Sequence, residues 1–196
     1  MGHSAMRQVT AAGVETKARP IVSAFAAGSH VAVFSTLTEL SIALAGFAGI
    51  VIAISAAEGP VAPLTWFRNL CALVWSLAVA FSSVVPEIFE VSGAKPTEVW
   101  INSSLVVGTS SLALMLFALL AARWLSQEER KRLSLGVWAL CLGGNSAVAL
   151  LQITNATGLL GSPGPAPAAL GLLWLLAFAA FLFVRMLARH PSTPAE

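Results

Sequence analysis

Five long apolar stretches divide this chain, and each is long enough to cross a bilayer. A helix needs about 20 residues to span ~30 Å of hydrocarbon at 1.5 Å per residue. The stretches fall at about 31–57, 64–85, 99–124, 133–153 and 168–187. They predict an all-α fold, a transmembrane bundle of five spans. It forms a single domain over 21–189, between a flexible N-terminal tail at 1–20 and a C-terminal tail at 190–196. Gly143-Gly144-Asn145-Ser146 interrupts the fourth stretch, so a re-entrant or partly unwound segment is the alternative there. Turn residues set the connections: Gly59, Pro60 and Pro63 after the first span, Pro86 ending the second, and three prolines before the fifth. Ser126-Gln127-Glu128-Glu129 has the Ser-x-x-Glu form of a helix capping box.

Composition agrees with lipid as the solvent. Of 196 residues, 57% are hydrophobic and 10% charged, with a mean hydropathy of +0.83. Soluble domains carry about 25% charged residues. The net charge of +2 is small, and no basic stripe interleaves with aromatics, which argues against nucleic-acid binding. Asp and Tyr are absent. Without Asp, many metal, phosphoryl-transfer and Ser-His-Asp chemistries lose a usual participant. Without Tyr, an aromatic belt falls to Trp66, Trp100, Trp124 and Trp138, all near span ends. Cys71 and Cys141 lie in different spans and read as small buried hydrophobes. The first apolar run is too long for the core of a cleavable signal peptide.

Loop charge suggests an orientation. Arg123, Arg130, Lys131, Arg132, Arg185 and Arg189 fall on one side, against Arg7, Lys17, Arg19 and Lys95 on the other. The balance places the N-terminus outside and the C-terminus in the cytoplasm. The Ala-rich, Arg-over-Lys composition suits a bacterial inner membrane.

One carboxylate, Glu39, lies within the first span. Charge at mid-bilayer costs roughly 2.5–3.5 kcal/mol on insertion scales, so such a residue invites a functional reading. Arg68 is the obvious counter-ion, but consecutive spans run antiparallel. The two lie on the order of 15 Å apart along the membrane normal at 1.5 Å rise per residue. Arg68 instead snorkels toward the headgroups. Residues at the depth of Glu39 are Asn102, Ser103 and Ser104 on the third span, Ser82 and Ser83 on the second, and Gln152 on the fourth. The expected intramembrane polar site is therefore Glu39, Asn102, Ser103, Ser104 and Gln152.

The first span also sorts its residues by size. Leu37, Leu40, Leu44, Phe47, Val51 and Ile54 make a bulky side, and Ser41, Ala45, Gly49 and Ala53 a small-residue ridge extended by Gly46 and Ala43. Small residues let helices approach closely in lipid, so the ridge is the expected helix-packing surface. The third span, polar around its outer half, belongs centrally. The fifth, apolar throughout, suits a face toward lipid or a partner.

Catalytic patterns are lacking. His3, His30 and His190 lie in tails or at a span edge, and no His-Glu-x-x-His, nucleotide-binding glycine pattern or Cys-x-x-Cys occurs. Gly144-Asn145-Ser146-Ala147 is similar to the nucleophile segment of intramembrane rhomboid proteases, which also need a histidine in another span; none is present. Asn155-Ala156-Thr157 fits a glycosylation sequon. No catalytic residue, metal or cofactor is expected.

Residues 38–51, then Arg68-Asn69-Leu70 with Ser76, 81–86, Trp100 and Ser103-Ser104, together resemble small uncharacterised bacterial integral membrane proteins. That group implies a multi-pass bundle and brings no activity with it. The expected role is a non-enzymatic packing or accessory subunit of a homo-oligomer or a complex with other membrane subunits. The alternative is an ion- or proton-linked carrier or channel using Glu39.

Overall fold

The computed structural model describes residues 6–57, 59–159 and 161–187, with side chains described from His30 onward apart from Val31. The helices are α1 (Met6–Ala57), α2 (Pro63–Val91), α3 (Pro96–Ala121), the short α4 (Gln127–Lys131), α5 (Leu135–Ala156) and α6 (Pro165–Leu187). Five segments are long and apolar enough to cross a membrane: Ala32–Ala57, Pro63–Val91, Pro96–Trp124, Leu135–Ala156 and Pro165–Leu187. The protein is an all-α, multi-pass bundle of five spans, with no strand among the described residues. Helical backbone reaches back to Met6, into the segment expected to be a tail. Residues 1–5 and the expected C-terminal tail at 190–196 lie outside the described residues.

Consecutive spans alternate in direction. One end of the bundle therefore carries Arg68, Arg185 and the α3–α5 connection with Arg123, Arg130, Lys131 and Arg132; this is the basic end. The opposite, acidic end carries Glu87, Glu90 and Glu98, with Lys95 beside Glu98 at 4.0 Å. At the basic end the predicted capping box forms. Ser126 N–H donates to Glu129 Oε2 at 2.9 Å, and Glu129 N–H donates to Ser126 Oγ at 3.3 Å. Hydrogen bonds from the backbone and hydroxyl of Ser126, and from the backbone of Leu64, hold the Glu129 carboxyl below its ordinary value.

Two expectations about the spans are corrected by the fold, and the main expectation for the fourth span holds. Pro86 does not end the second span: it lies buried inside α2, which continues to Val91 and ends at Gly93, whose φ of 80° suits glycine. A proline in a helix interior leaves the carbonyl four residues earlier without its donor, here that of Ser82. Neighbouring helices and hydroxyls make this tolerable in a membrane. Ser82 Oγ meets Ser110 Oγ on α3 at 3.2 Å, and Ser83 Oγ donates to Ala80 O at 3.0 Å. The fourth span is continuous through Gly143-Gly144. Gly144 is a close-packing residue, because a Cβ there would overlap the Trp174 indole of α6.

The second correction concerns α6, which faces inward. It touches α1, α2, α3 and α5, and Ala168, Leu172, Leu175 and Ala179 form a stripe with no exposed surface. Lipid tails are as apolar as leucine, so an apolar helix has no preference for lipid over protein. Shape decides, and this stripe, two leucines between two alanines, shares one buried cluster with Trp75 and Val79 of α2, which are 1% and 0% exposed.

Candidate functional site

Of the residues expected beside Glu39, Ser83 shares its cavity; the rest of its company is new. α1 brings His30, Phe34, Ser35, Thr38 and Glu39 to one side, and the part of α2 around Pro86 brings Ser83, Glu87 and Glu90. With Trp100 of α3 they line a cavity of about 280 Å³ at the acidic end. Ser83, Glu87 and Glu90 share a face because they are spaced by four and three along a continuous helix. Had Pro86 ended the helix, this alignment would not exist.

The cavity has a fixed wall and a charged rim. Thr38 Oγ1 and Ser83 Oγ are 2.7 Å apart and join α1 to α2. Phe34 stacks on Trp100 with ring centroids 5.8 Å apart, and His30 meets the same indole edge-on at 6.3 Å. Ser35 Oγ donates to Glu39 Oε1 at 3.4 Å. Glu39, Glu87 and Glu90 are all exposed, so the carboxylates border open space. Among the described residues no three His, Cys, Asp or Glu side chains come together as metal ligands do. The carboxylates ring a volume and do not converge on a point.

The other members of the expected polar site are placed elsewhere. Ser104 accepts from Asn155 Nδ2 at 2.7 Å, and Gln152 Nε2 donates to Pro167 O at 2.7 Å. Ser103 donates to Val99 O on its own helix at 2.7 Å, and Asn102 is half-buried. None of the four lines the cavity of Glu39. Ser104 and Gln152 belong to a structural seam between α3, α5 and the start of α6, in which Ser111 Oγ also donates to Asn145 Oδ1 at 3.0 Å. Asn155 is 3% exposed with both amide atoms engaged, so the sequon triplet is a packing element here and offers no accessible acceptor.

The helix-packing residues divide in the same way. Ser41 and Ala45 are buried, joined by Phe34, Leu37 and Ala48 to make the inner stripe of α1. Gly49 is only partly covered, and Gly46 and Ala53 are exposed. A Cβ on Gly46 or Gly49 would meet nothing within 4 Å. The inner stripe thus mixes large and small residues, and half of the bulky series, Leu40, Phe47 and Ile54, faces outward.

Glu39 and Arg68 lie in different cavities, as the depth estimate requires. Arg68 borders one at the basic end that Cys71 and Cys141 also line, so the two cysteines of separate spans share one site. Comparison with family models, curated proteins and solved structures finds no match to this chain.

Proposed function

We propose that the protein is a non-enzymatic membrane binding protein that captures a small organic cation in the acid-lined cavity, as the binding step of an ion-linked carrier using Glu39. The observation that carries this reading is that Glu39, Glu87 and Glu90 border one cavity also lined by Trp100, Phe34 and His30. Carboxylates supply counter-charge, and aromatic faces attract cations within about 6 Å of the ring centre. A ring of acids around a volume suits an alkylammonium better than a bare ion. With the N-terminus outside, as the loop charges favour, the cavity opens on the outer face of a bacterial inner membrane. Trp75, Val79, Leu172 and Leu175 fill the core beneath it, so transport requires α1 to move against α2.

Tetraethylammonium is a suitable probe. Calorimetry on the protein in nanodiscs should show saturable binding, weakened about tenfold in Glu39→Gln, a loss of about 1.4 kcal/mol. Uptake into proteoliposomes should fall in parallel. Absence of binding to the wild type would sink the cation reading; unchanged uptake in Glu39→Gln would remove Glu39 from the mechanism.

A second reading, the packing or accessory subunit, is favoured by the outer side of α1. Only 17% of its spanning window is buried, the lowest share of the five spans, and Gly46 leaves open space beside it. A neighbouring helix, from another copy or another membrane subunit, would fit closely there. Particle mass in nanodiscs should exceed the monomer and drop with Gly46→Leu. A monomer that co-purifies with nothing counts against it.

A further inference from the structure

The groove between α2, α5 and α6 at the basic end has a different chemistry from the acidic cavity. Its walls are apolar, including Val137, Trp138 and Phe178, and two guanidinium groups, Arg68 and Arg185, border it. Its volume is about 60 Å³. On this measure a water needs about 10–15 Å³, so the space suits the upper part of one chain and no bulky ring system. Among the described residues no carboxylate pairs with Arg185.

A second observation lies deeper. Trp75 lines the same groove, is 1% exposed, and its Nε1–H meets no hydrogen-bond acceptor. A buried donor left without an acceptor is destabilising, and a ligand acceptor would satisfy it. Trp75 sits about two helical turns, ~10 Å, further into the membrane than Arg68. A ligand that suits this site carries an anion at the basic end, an uncharged acceptor below it, and a chain below or beside that.

We propose that this groove is a site for one anionic, ester-linked phospholipid, with its phosphate held by Arg68 and Arg185 and an ester carbonyl accepting from Trp75 Nε1. The glycerol unit places the ester carbonyls on the membrane side of the phosphate, in the order that the groove presents its partners. Basic pockets between spans are suited to such headgroups, each arginine contributing about fivefold in affinity near the surface. The site shares no residue with the acidic cavity, so it stands or falls independently of the cation reading.

The test is native mass spectrometry of the full chain from phosphatidylcholine nanodiscs containing phosphatidylglycerol. One phosphatidylglycerol should be retained in preference to phosphatidylcholine. Arg185→Gln should lower retention about fivefold, and Arg185→Lys should restore part of it. Trp75→Phe should weaken retention of the ester-linked lipid and leave that of its ether-linked analogue unchanged. Equal retention of phosphatidylglycerol and phosphatidylcholine would overturn the site, as would wild-type retention by Arg185→Gln. Displacement of the lipid by inorganic phosphate at equal concentration would show an anion site with no lipid preference, and would also overturn it. Ester- and ether-linked phosphatidylglycerol can be compared on the wild type alone, so a variant that fails to fold does not leave the Trp75 contact undecided: equal retention of the two lipids refutes it.

Discussion

Gly144→Leu should be among the most damaging single substitutions in this protein, lowering stability by about 3 kcal/mol, at the upper part of the usual range for overpacking. The cause is local. α5 and α6 are in contact, and a Cβ on Gly144 would overlap the Trp174 indole. An indole is rigid, so either the ring leaves its rotamer or the helices separate. Gly143→Leu is the matched control, because nothing lies within 4 Å of a Cβ there. Unfolding in mixed micelles by titration with sodium dodecyl sulfate should give a much lower midpoint for Gly144→Leu and an unchanged midpoint for Gly143→Leu. Trp174→Ala placed in the Gly144→Leu chain should recover part of the loss, since it removes the obstructing ring. A Gly144→Leu protein as stable as the wild type would mean that α5 and α6 do not pack through this contact.

Asn155→Leu should cost about 2 kcal/mol. Its side chain donates to Ser104 Oγ at 2.7 Å and Gly164 O at 3.1 Å, and accepts from Gly164 N–H at 3.2 Å. The residue therefore ties α5 to α3 and to the turn before α6. Interhelical hydrogen bonds in membranes average about 0.6 kcal/mol and reach about 1.7, so three from one residue account for the sum. Leucine would also leave Gly164 N–H unpaired. The same detergent titration reads the loss. Asn155→Leu with Ser104→Ala should lose less than the sum of the two single changes, because the pair shares one bond. Strict additivity would show that the Asn155–Ser104 bond carries no energy.

Much of the fold was legible from residue order, and the reasons are specific. Span length follows from bilayer thickness, so the five apolar stretches translate directly into helices. The antiparallel course of consecutive spans, with a known rise per residue, was enough to separate Glu39 from Arg68. The capping box at Ser126 was readable because its two partners are three residues apart and need no tertiary context. The acidic cavity was not readable in the same way. Glu87 and Glu90 follow Pro86, and a proline in sequence argues for a helix end. Only burial of that proline against neighbouring helices keeps α2 going and aligns both acids with Ser83. The buried polar residues of α3 find partners on other helices, Ser104 with Asn155 and Ser111 with Asn145 on α5, while Ser110 meets Ser82 on α2. Depth put Gln152 and Ser104 level with Glu39, and helix rotation turned them away from it.

The sequence by itself determined that this is a five-span helical bundle, and it separated Glu39 from Arg68 along the span direction, because hydrocarbon thickness and helix rise constrain both locally. The tertiary structure alone decided which faces are inner. In water the hydrophobic effect marks the buried face of a helix; in lipid that mark is missing, since the core and the solvent are equally apolar. Close packing then ranks the faces. It put the all-apolar α6 at the centre, set Gly144 beneath Trp174, and left Glu39 with Glu87, Glu90 and Trp100 around an open cavity.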